Sequence, residues 1–288
     1  MGRSKLRRLL AASGVAVMLA LGCAGNVMAN AGSLYTGDGP RPGPSILYQP
    51  PVIAPQLTNS GVWQAPPILV SGTSAYRAGE YLYQDFLYDD HGASGGVPDP
   101  NDPRTAGNAF SAPNGTYTYP TGPGYNGDAA DLVEFRVRPL ADATAFRVTL
   151  NTLLDPSLAA FTIAIGGTGS AVAAYPHGAQ SSGPADRFVT VHNTYADLIA
   201  AGGAVVPGLP AATVDRARRQ IEIRVPHTLW DPGSGVVRLS LGVGLWDKST
   251  PDSVAGKYLI PGNSASATSP GGLGTLSSTA TSGFFNLA

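Results

Sequence analysis

Apolar and polar residues alternate along several short segments of this chain. In the segment from Leu132 to Arg138, Val133, Phe135 and Val137 alternate with charged residues. Successive side chains of a strand point to opposite faces, so a period of two places one set on a core and the other toward solvent. Related strand-like patterns occur over residues 80–88, 146–150, 161–165, 221–225 and 237–245. These segments predict antiparallel strands separated by turns.

One segment is predicted as a short helix instead. Thr194 is a suitable N-cap for residues 195–201, and Gly202 with Gly203 would end the helix. The 37 glycines and 25 prolines among 288 residues favour short strands and many turns over long helices. The predicted fold class is therefore all-β, an antiparallel β-sandwich of jelly-roll or immunoglobulin-like type with one short helix.

The composition divides the chain into three regions. Residues 1–31 are predicted as a signal peptide, residues 32–67 as a Pro-rich leader, and residues 68–288 as the sandwich, with a Ser/Thr/Gly-rich loop at 264–282. Proline fixes φ and removes a hydrogen-bond donor, so the leader is expected to be extended. The ending Phe284–Ala288 is expected to be a last strand or the point at which a longer protein was cut.

The N-terminal residues point to export. Arg3, Lys5, Arg7 and Arg8 precede an apolar run over residues 9–21, the layout of a secretory signal peptide. Two processing routes stay open. Small residues before positions 30 and 32 fit ordinary cleavage, whereas the residues before Cys23 resemble a lipobox, which predicts a lipid anchor on the only cysteine. No later segment is long and apolar enough to span a bilayer.

Charge and motifs exclude several classes of function. The net charge of −1, with 13% charged residues, gives no basic patch for nucleic acid. Ser74 lacks the second glycine of a nucleophile elbow, and no histidine pair has zinc-ligand spacing. The chain is therefore predicted not to be an enzyme by itself.

Two adjacent carboxylates, Asp89 and Asp90, stand at a predicted strand end before a glycine-rich loop. Calcium takes about 6–8 oxygen ligands from carboxylates, carbonyls and water on such loops. A structural Ca²⁺ site is one interpretation, with Asp131 as the third carboxylate and Asp99, Asp102 and Asp128 as other acids within reach. Solvated turn acids are the alternative. Adjacent residues of an extended chain point in opposite directions, which argues against a glycosidase-like pair.

Aromatic residues are the other candidate binding resource. Sugar rings pack their apolar faces on aromatic side chains, and aromatics anchor many ligand sites. The alternative is ordinary packing in the core or at a sheet edge. The candidate residues are Trp63, Tyr81, Tyr83, Tyr88, Tyr117, Tyr119, Trp230 and Trp246.

Several motifs in order resemble a known family. They are YDDHG at 88–92, GTYTYPT at 115–121, AADLVEF at 129–135, FRVTL at 146–150 and VGLWD at 243–247. This chain resembles the DOMON-like module found at the C-terminus of glucodextranase and in related bacterial surface proteins. The resemblance runs from about residue 71 to the end. His91 and an insertion at 94–112 depart from the family pattern.

The resemblance implies a carbohydrate-binding-module type of sandwich that accompanies a catalytic domain, and a structural Ca²⁺ held by Asp89, Asp90 and Asp131. The expected function is that of a secreted, non-catalytic module that binds polysaccharide or cell wall, or docks an attached hydrolase at the bacterial surface. The alternative is an interaction or spacer domain at the N-terminal side of a larger secreted α/β-hydrolase.

Overall fold

The computed structural model describes residues 59–68, 70–92, 115–125, 128–272 and 282–288. Two six-stranded antiparallel sheets pack face to face as a β-sandwich, which confirms the predicted fold class. The signal peptide, the lipobox and the leader up to residue 58 lie outside the described residues. No helix in the described ranges has both the length and the apolar character needed to cross a membrane.

The first sheet is built largely from segments that the alternation predicts. Its strands, in spatial order, are β1 (Thr73–Arg77), β2 (Glu80–Gln84), β3 (Leu132–Pro139), β4 (Ala143–Leu150), β12 (Gln220–Pro226) and β11 (Thr213–Asp215). Ala78 and Gly79 connect β1 to β2 with φ values of 49° and 77°. Positive φ at both central residues is typical of the tight hairpin turn that matches strand twist.

The second sheet contains the alternating segment at 237–245. Its strands, in spatial order, are β10 (Val205–Val206), β9 (Tyr195–Ala200), β8 (Arg187–His192), β5 (Ala159–Gly166), β13 (Arg238–Leu245) and β14 (Phe284–Leu287). A small hairpin of β6 (Val172–Ala174) and β7 (Ser182–Pro184) forms a separate two-stranded sheet. The segment Phe284–Leu287 is thus a strand, which is one of the two alternatives given for residues 284–288.

The helix predicted at 195–201 is wrong, because this segment is strand β9. Asn193 has φ 51° in the turn from β8, and His192 pairs with Tyr195 across it. Pairing with β8 buries Leu198 completely. A seven-residue helix is only marginally stable in water. The strand is therefore favoured over the local helix propensity, because it buries this leucine against the core.

The core lies between the inner faces of the sheets. The strands of both sheets contribute Phe135, Phe146, Phe161, Ile163 and Val243 to one buried apolar cluster. This pattern is the one that alternating strands of a sandwich produce.

The outer face of the first sheet is also covered. Residues 59–68, most of them assigned by sequence to the leader, lie on it, with Trp63 and Ala65 buried. Beneath them lies a group that we call the ion-pair network: Glu80, Glu134, Arg136, Arg138 and Arg147. The structured part of the chain therefore begins before residue 68.

One side of the sandwich is closed by the stretch that follows β2. The Gly92 N–H donates to the carbonyl of Phe285 at 2.9 Å, so residues 85–92 run from the first sheet to the edge strand of the second. The described part of the predicted Ser/Thr/Gly-rich loop is held to residues 118–122, for example by the Thr121 N–H to the Ser266 carbonyl at 2.8 Å.

Candidate functional sites

An aromatic groove of about 420 Å³ opens between the two sheets beside β1. This volume is within the range of about 300–1,000 Å³ that is usual for ligand pockets. Its described lining combines aromatic, proline and small apolar residues: Tyr76, Tyr81, Val137, Pro139, Thr144, Trp230, Pro232, Gly235, Val237 and Leu239. We use the name aromatic groove for this set.

Local structure fixes the three aromatic rings of the groove. Tyr76 pairs with Tyr81 across the β1–β2 hairpin, which brings both tyrosines to the same face. Trp230 follows β12 in a turn whose backbone N–H groups donate to the Pro226 carbonyl. The indole packs on Phe146 with ring centroids 6.2 Å apart. Two strands of one sheet and a loop therefore present aromatic faces to the same space.

The aromatic residues that the sequence offered as candidates differ in how far they are exposed. Trp63, Trp246, Tyr88 and Tyr117 are buried, so they pack the interior rather than offer a binding face. Tyr83 and Tyr119 are half-buried, and their hydroxyls donate to Asp85 and Asp90 respectively. Only Tyr81 and Trp230 of the candidates line the groove.

Sequence reasoning missed the most exposed aromatic residue of the groove, Tyr76. Tyr76 is 70% exposed, the largest value among the exposed large apolar residues of the described chain. The signal was the Ala78-Gly79 turn, because a two-residue hairpin sets Tyr76 opposite Tyr81.

The three predicted calcium ligands are all buried near one another, together with a fourth carboxylate. Asp89, Asp90 and Asp131 have exposures of 5%, 1% and 0%, and Asp85 is 3% exposed. We call these four residues the acid cluster. It lies where β2 ends, between the first sheet and β14.

Protein donors hold the carboxylates of the acid cluster. Both oxygens of Asp131 accept from the Tyr88 N–H, at 3.1 and 3.0 Å, and one also accepts from the Asn151 side chain at 2.9 Å. The Asn286 amide donates to Asp89 at 2.8 Å.

The backbone at Tyr88 is unusual. Its φ is 61°, a left-handed conformation that bulky residues rarely adopt. This turn and the Asp131 contact let two adjacent aspartates both face the interior, which an extended chain would not allow. His91 is half-buried, with a ring nitrogen 3.4 Å from the Tyr117 carbonyl.

Burial and the repulsion of neighbouring carboxyls raise the pKa values of two acids of the cluster, Asp131 and Asp85. Burial raises the pKa of Asp131 well above its ordinary value, and the carboxyls of Asp90 and Asp89 raise it further. Burial also raises the pKa of Asp85 to about 7, although hydrogen bonds from the Phe86 backbone and the Tyr83 hydroxyl oppose the rise. Neither Asp85 nor Asp131 takes part in an ion pair within the described ranges.

The arrangement of the acid cluster differs from a metal shell. In the part of the chain that the structure describes, no group of three or more His, Cys, Asp or Glu side chains is arranged to hold one ion. Calcium ligands converge on one point, whereas these carboxylates accept from N–H and O–H donors of different elements. Asp99 and Asp102 lie outside the described residues. Calcium at Asp89, Asp90 and Asp131 stays a prediction.

Two buried histidines form a further polar group on the outer face of the second sheet. His177 lies in a loop, with its ring nitrogens 2.9 Å from Asp197 and 2.8 Å from the Gly256 carbonyl. His192 stacks on Trp246 at a centroid distance of 4.6 Å, and burial lowers its pKa. These contacts fasten loops to the sheet. His227, in the turn after β12, lies 3.5 Å from the Thr144 hydroxyl.

No known protein-family model matches the chain, and no curated protein is significantly similar to it. The resemblance to the DOMON-like module therefore stays a prediction that rests on the residues alone.

Proposed function

We propose that this chain is a secreted, non-catalytic β-sandwich that binds carbohydrate through the aromatic groove. The observation that carries the proposal is the convergence of Tyr76, Tyr81 and Trp230 on one open groove. Aromatic rings offer flat apolar faces to sugar C–H groups, while their hydroxyl and indole N–H groups hydrogen-bond sugar hydroxyls.

The groove suits binding better than turnover. Its described lining contains no carboxylate, histidine or cysteine that would serve as an acid, base or nucleophile. The raised pKa values of Asp85 and Asp131 belong to residues that are at most 3% exposed. The proposal is therefore for a recognition module at the cell surface, either alone or beside a hydrolase.

Titration calorimetry against a panel of purified oligosaccharides tests this function. The Tyr76→Ala change should weaken binding about tenfold or more, because an exposed stacking ring is lost. Val205→Ala is the matched control, since Val205 is an exposed apolar residue on β10 of the second sheet. If no oligosaccharide binds, the interaction or spacer domain of a larger hydrolase becomes the better proposal.

A second proposal is that Ca²⁺ binds the acid cluster, through Asp89, Asp90 and Asp131. It is supported by four buried carboxylates near one another, whose repulsion a cation would relieve. An ion bound only to the folded state raises stability by about 2.7 kcal/mol when its concentration is 100 times Kd. Binding would require the side chains to turn away from their present donors.

Thermal unfolding with CaCl₂ and with EDTA tests the calcium proposal. The melting temperature should fall on chelation in the wild type and stay constant in Asp131→Asn. An equal melting temperature in both buffers for the wild type would remove the proposal.

Export is proposed from the N-terminal residues, and mass spectrometry of the mature protein tests it. Acylated Cys23 at the N-terminus would indicate a lipoprotein. A free N-terminus at Asn30 or Gly32 would indicate ordinary cleavage.

A further inference from the structure

The aromatic groove carries no charge on its described lining. The polar groups there are the hydroxyls of Tyr76, Tyr81 and Thr144 and the indole N–H of Trp230. A site for acidic sugars would be expected to place Arg or Lys against the carboxylate, because burying a charge without a partner is costly.

The charged neighbours of the lining residues point elsewhere. Arg77 follows Tyr76 on β1, and Arg238 lies between Val237 and Leu239 at the start of β13, so alternation turns both to the opposite face. Arg138, beside Val137 on β3, donates to Glu80 on the outer face at 2.8 Å.

The charged residue next to Trp230 is also engaged outside the groove lining. Asp231, the next residue, accepts from the Gly233 N–H at 2.8 Å, so its carboxylate caps its own turn. Charged residues of both signs are thus sequence neighbours of the lining residues, but none of them belongs to the described lining, which is neutral.

From this neutral lining we infer that the ligand is an uncharged glycan, bound by stacking and neutral hydrogen bonds rather than by ion pairs. This inference rests on the proposed function and narrows it. Neutral contacts are little screened, so affinity should be insensitive to salt, whereas a uronate or sulfated ligand held by charge would dissociate as ionic strength rises.

Gly235 allows a sharp test of the inference. It lines the groove, and a Cβ placed on it meets nothing within 4 Å. Gly235→Lys therefore adds a cation to the groove, and Gly235→Gln adds a neutral side chain of similar length. If neutrality selects the ligand, the lysine variant alone should gain affinity for acidic sugars.

The experiment compares cello-, malto-, xylo- and mannohexaose with hexagalacturonate and hexaguluronate, at about 20 mM and about 300 mM NaCl. We expect at least one neutral hexasaccharide to bind about tenfold more tightly than either acidic one, with less than about a twofold change in Kd between salts. Gly235→Lys should bind the acidic ligands about threefold or more tighter than Gly235→Gln at low salt.

Other outcomes overturn one proposal or both. Tighter binding of an acidic hexasaccharide by the wild type, weakened about tenfold by salt, would overturn the inference and leave carbohydrate binding intact. Binding of neutral sugars that Tyr76→Ala leaves unchanged would move the ligand away from this groove and overturn the inference as well. Failure of every hexasaccharide to bind would overturn the proposed function and the inference with it.

Discussion

The two ends of β2 lead to two buried polar groups, and these groups accommodate buried carboxylates in different ways. Glu80, the first residue of the strand, belongs to the ion-pair network, and Asp85, just after the last, belongs to the acid cluster. Both groups bury carboxylates almost completely. The network surrounds them with arginines, whereas the cluster surrounds them with hydroxyls, amides and other carboxylates.

The network favours the ionised form of Glu80. Arg136 binds Glu134 through two parallel hydrogen bonds of 2.7 and 2.9 Å and reaches Glu80 at 3.1 Å. Burial alone would raise the pKa of Glu80, but the Gln64 and Ala65 backbone N–H groups and Arg136 more than offset this, so the pKa is lowered. The planar guanidinium suits such bidentate contacts better than a lysine would.

In the acid cluster, the protonated forms of Asp85 and Asp131 are favoured instead. The raised pKa values of Asp85 and Asp131 mean that burial and repulsion outweigh the hydrogen bonds they accept. The comparison shows that burial does not fix the charge state of an acid; the chemistry of its neighbours does. The two arrangements should therefore make the free energy of unfolding depend on pH in opposite directions.

The largest expected effect comes from removing the central cation of the network. Arg136→Met would leave Glu80 and Glu134 buried without this partner, so we expect the free energy of unfolding to fall by about 3–5 kcal/mol. Arg224→Met is the control, because the Arg224 side chain is 52% exposed and pairs with Glu222 at 3.1 Å. Its cost should be under about 1 kcal/mol.

Urea denaturation of both variants near neutral pH measures the difference. Equal losses in Arg136→Met and Arg224→Met would show that the buried network contributes no more than a surface pair, and the contrast drawn above would fail.

The strand pattern predicted much of the sandwich because it depends on local alternation. Strands β3, β4, β5, β12 and β13 each coincide with a predicted segment. Strand β9 was misassigned because its Ala-rich composition is typical of helices, and its partner β8 is a tertiary contact that composition does not reveal.

The sites were less predictable, since each depends on residues far apart in the chain. The acid cluster joins the 85–90 stretch to Asp131, Asn151 and Asn286, and the fourth carboxylate, Asp85, carries no sequence signal of its own. The groove requires the loop with Trp230 to meet the β1–β2 hairpin across the sandwich.

The next prediction concerns pH. It tests whether the acid cluster and the ion-pair network change stability with pH in opposite directions. With a pKa of about 7 in the folded protein against 3.8 ordinarily, Asp85 holds a proton between these values that the unfolded chain releases. The contribution of Asp85 to stability should therefore fall as pH rises from about 4 to about 7 and then level off. Glu80 acts in the other direction, since its lowered pKa stabilises the fold above pH 4.5 and this contribution is lost as pH falls below it.

Asp85→Asn should make the fall between pH 4 and pH 7 smaller, because the amide is neutral throughout, whereas Asp131 keeps its own contribution of the same sign. We expect this variant to exceed the wild type at pH 8 by on the order of 2 kcal/mol. Asp142→Asn, at an exposed position, is the matched control and should leave the profile unchanged. A wild-type profile that rises from pH 4 to pH 8 in EDTA would contradict protonation of the cluster.

The smallest expected effect tests the contact that covers the network. Trp63 lies over the Arg147 guanidinium at 4.9 Å, and its indole N–H donates to Glu222 at 2.9 Å. Trp63→Phe keeps a ring over the cation and loses the N–H, so we expect a cost of about 1 kcal/mol.

Trp63→Leu should cost about 1 kcal/mol more than the phenylalanine variant, because it also loses the aromatic face over a desolvated cation. Guanidinium denaturation of the two variants gives the difference. Glu222→Gln keeps an acceptor for the indole N–H and removes only its charge, so it shows how much of the Trp63→Phe cost depends on the charge of the acceptor. If leucine and phenylalanine are equivalent at this position, the ring contributes only buried area. The aromatic face of Trp63 would then add nothing beyond buried area to the stability of the ion-pair network.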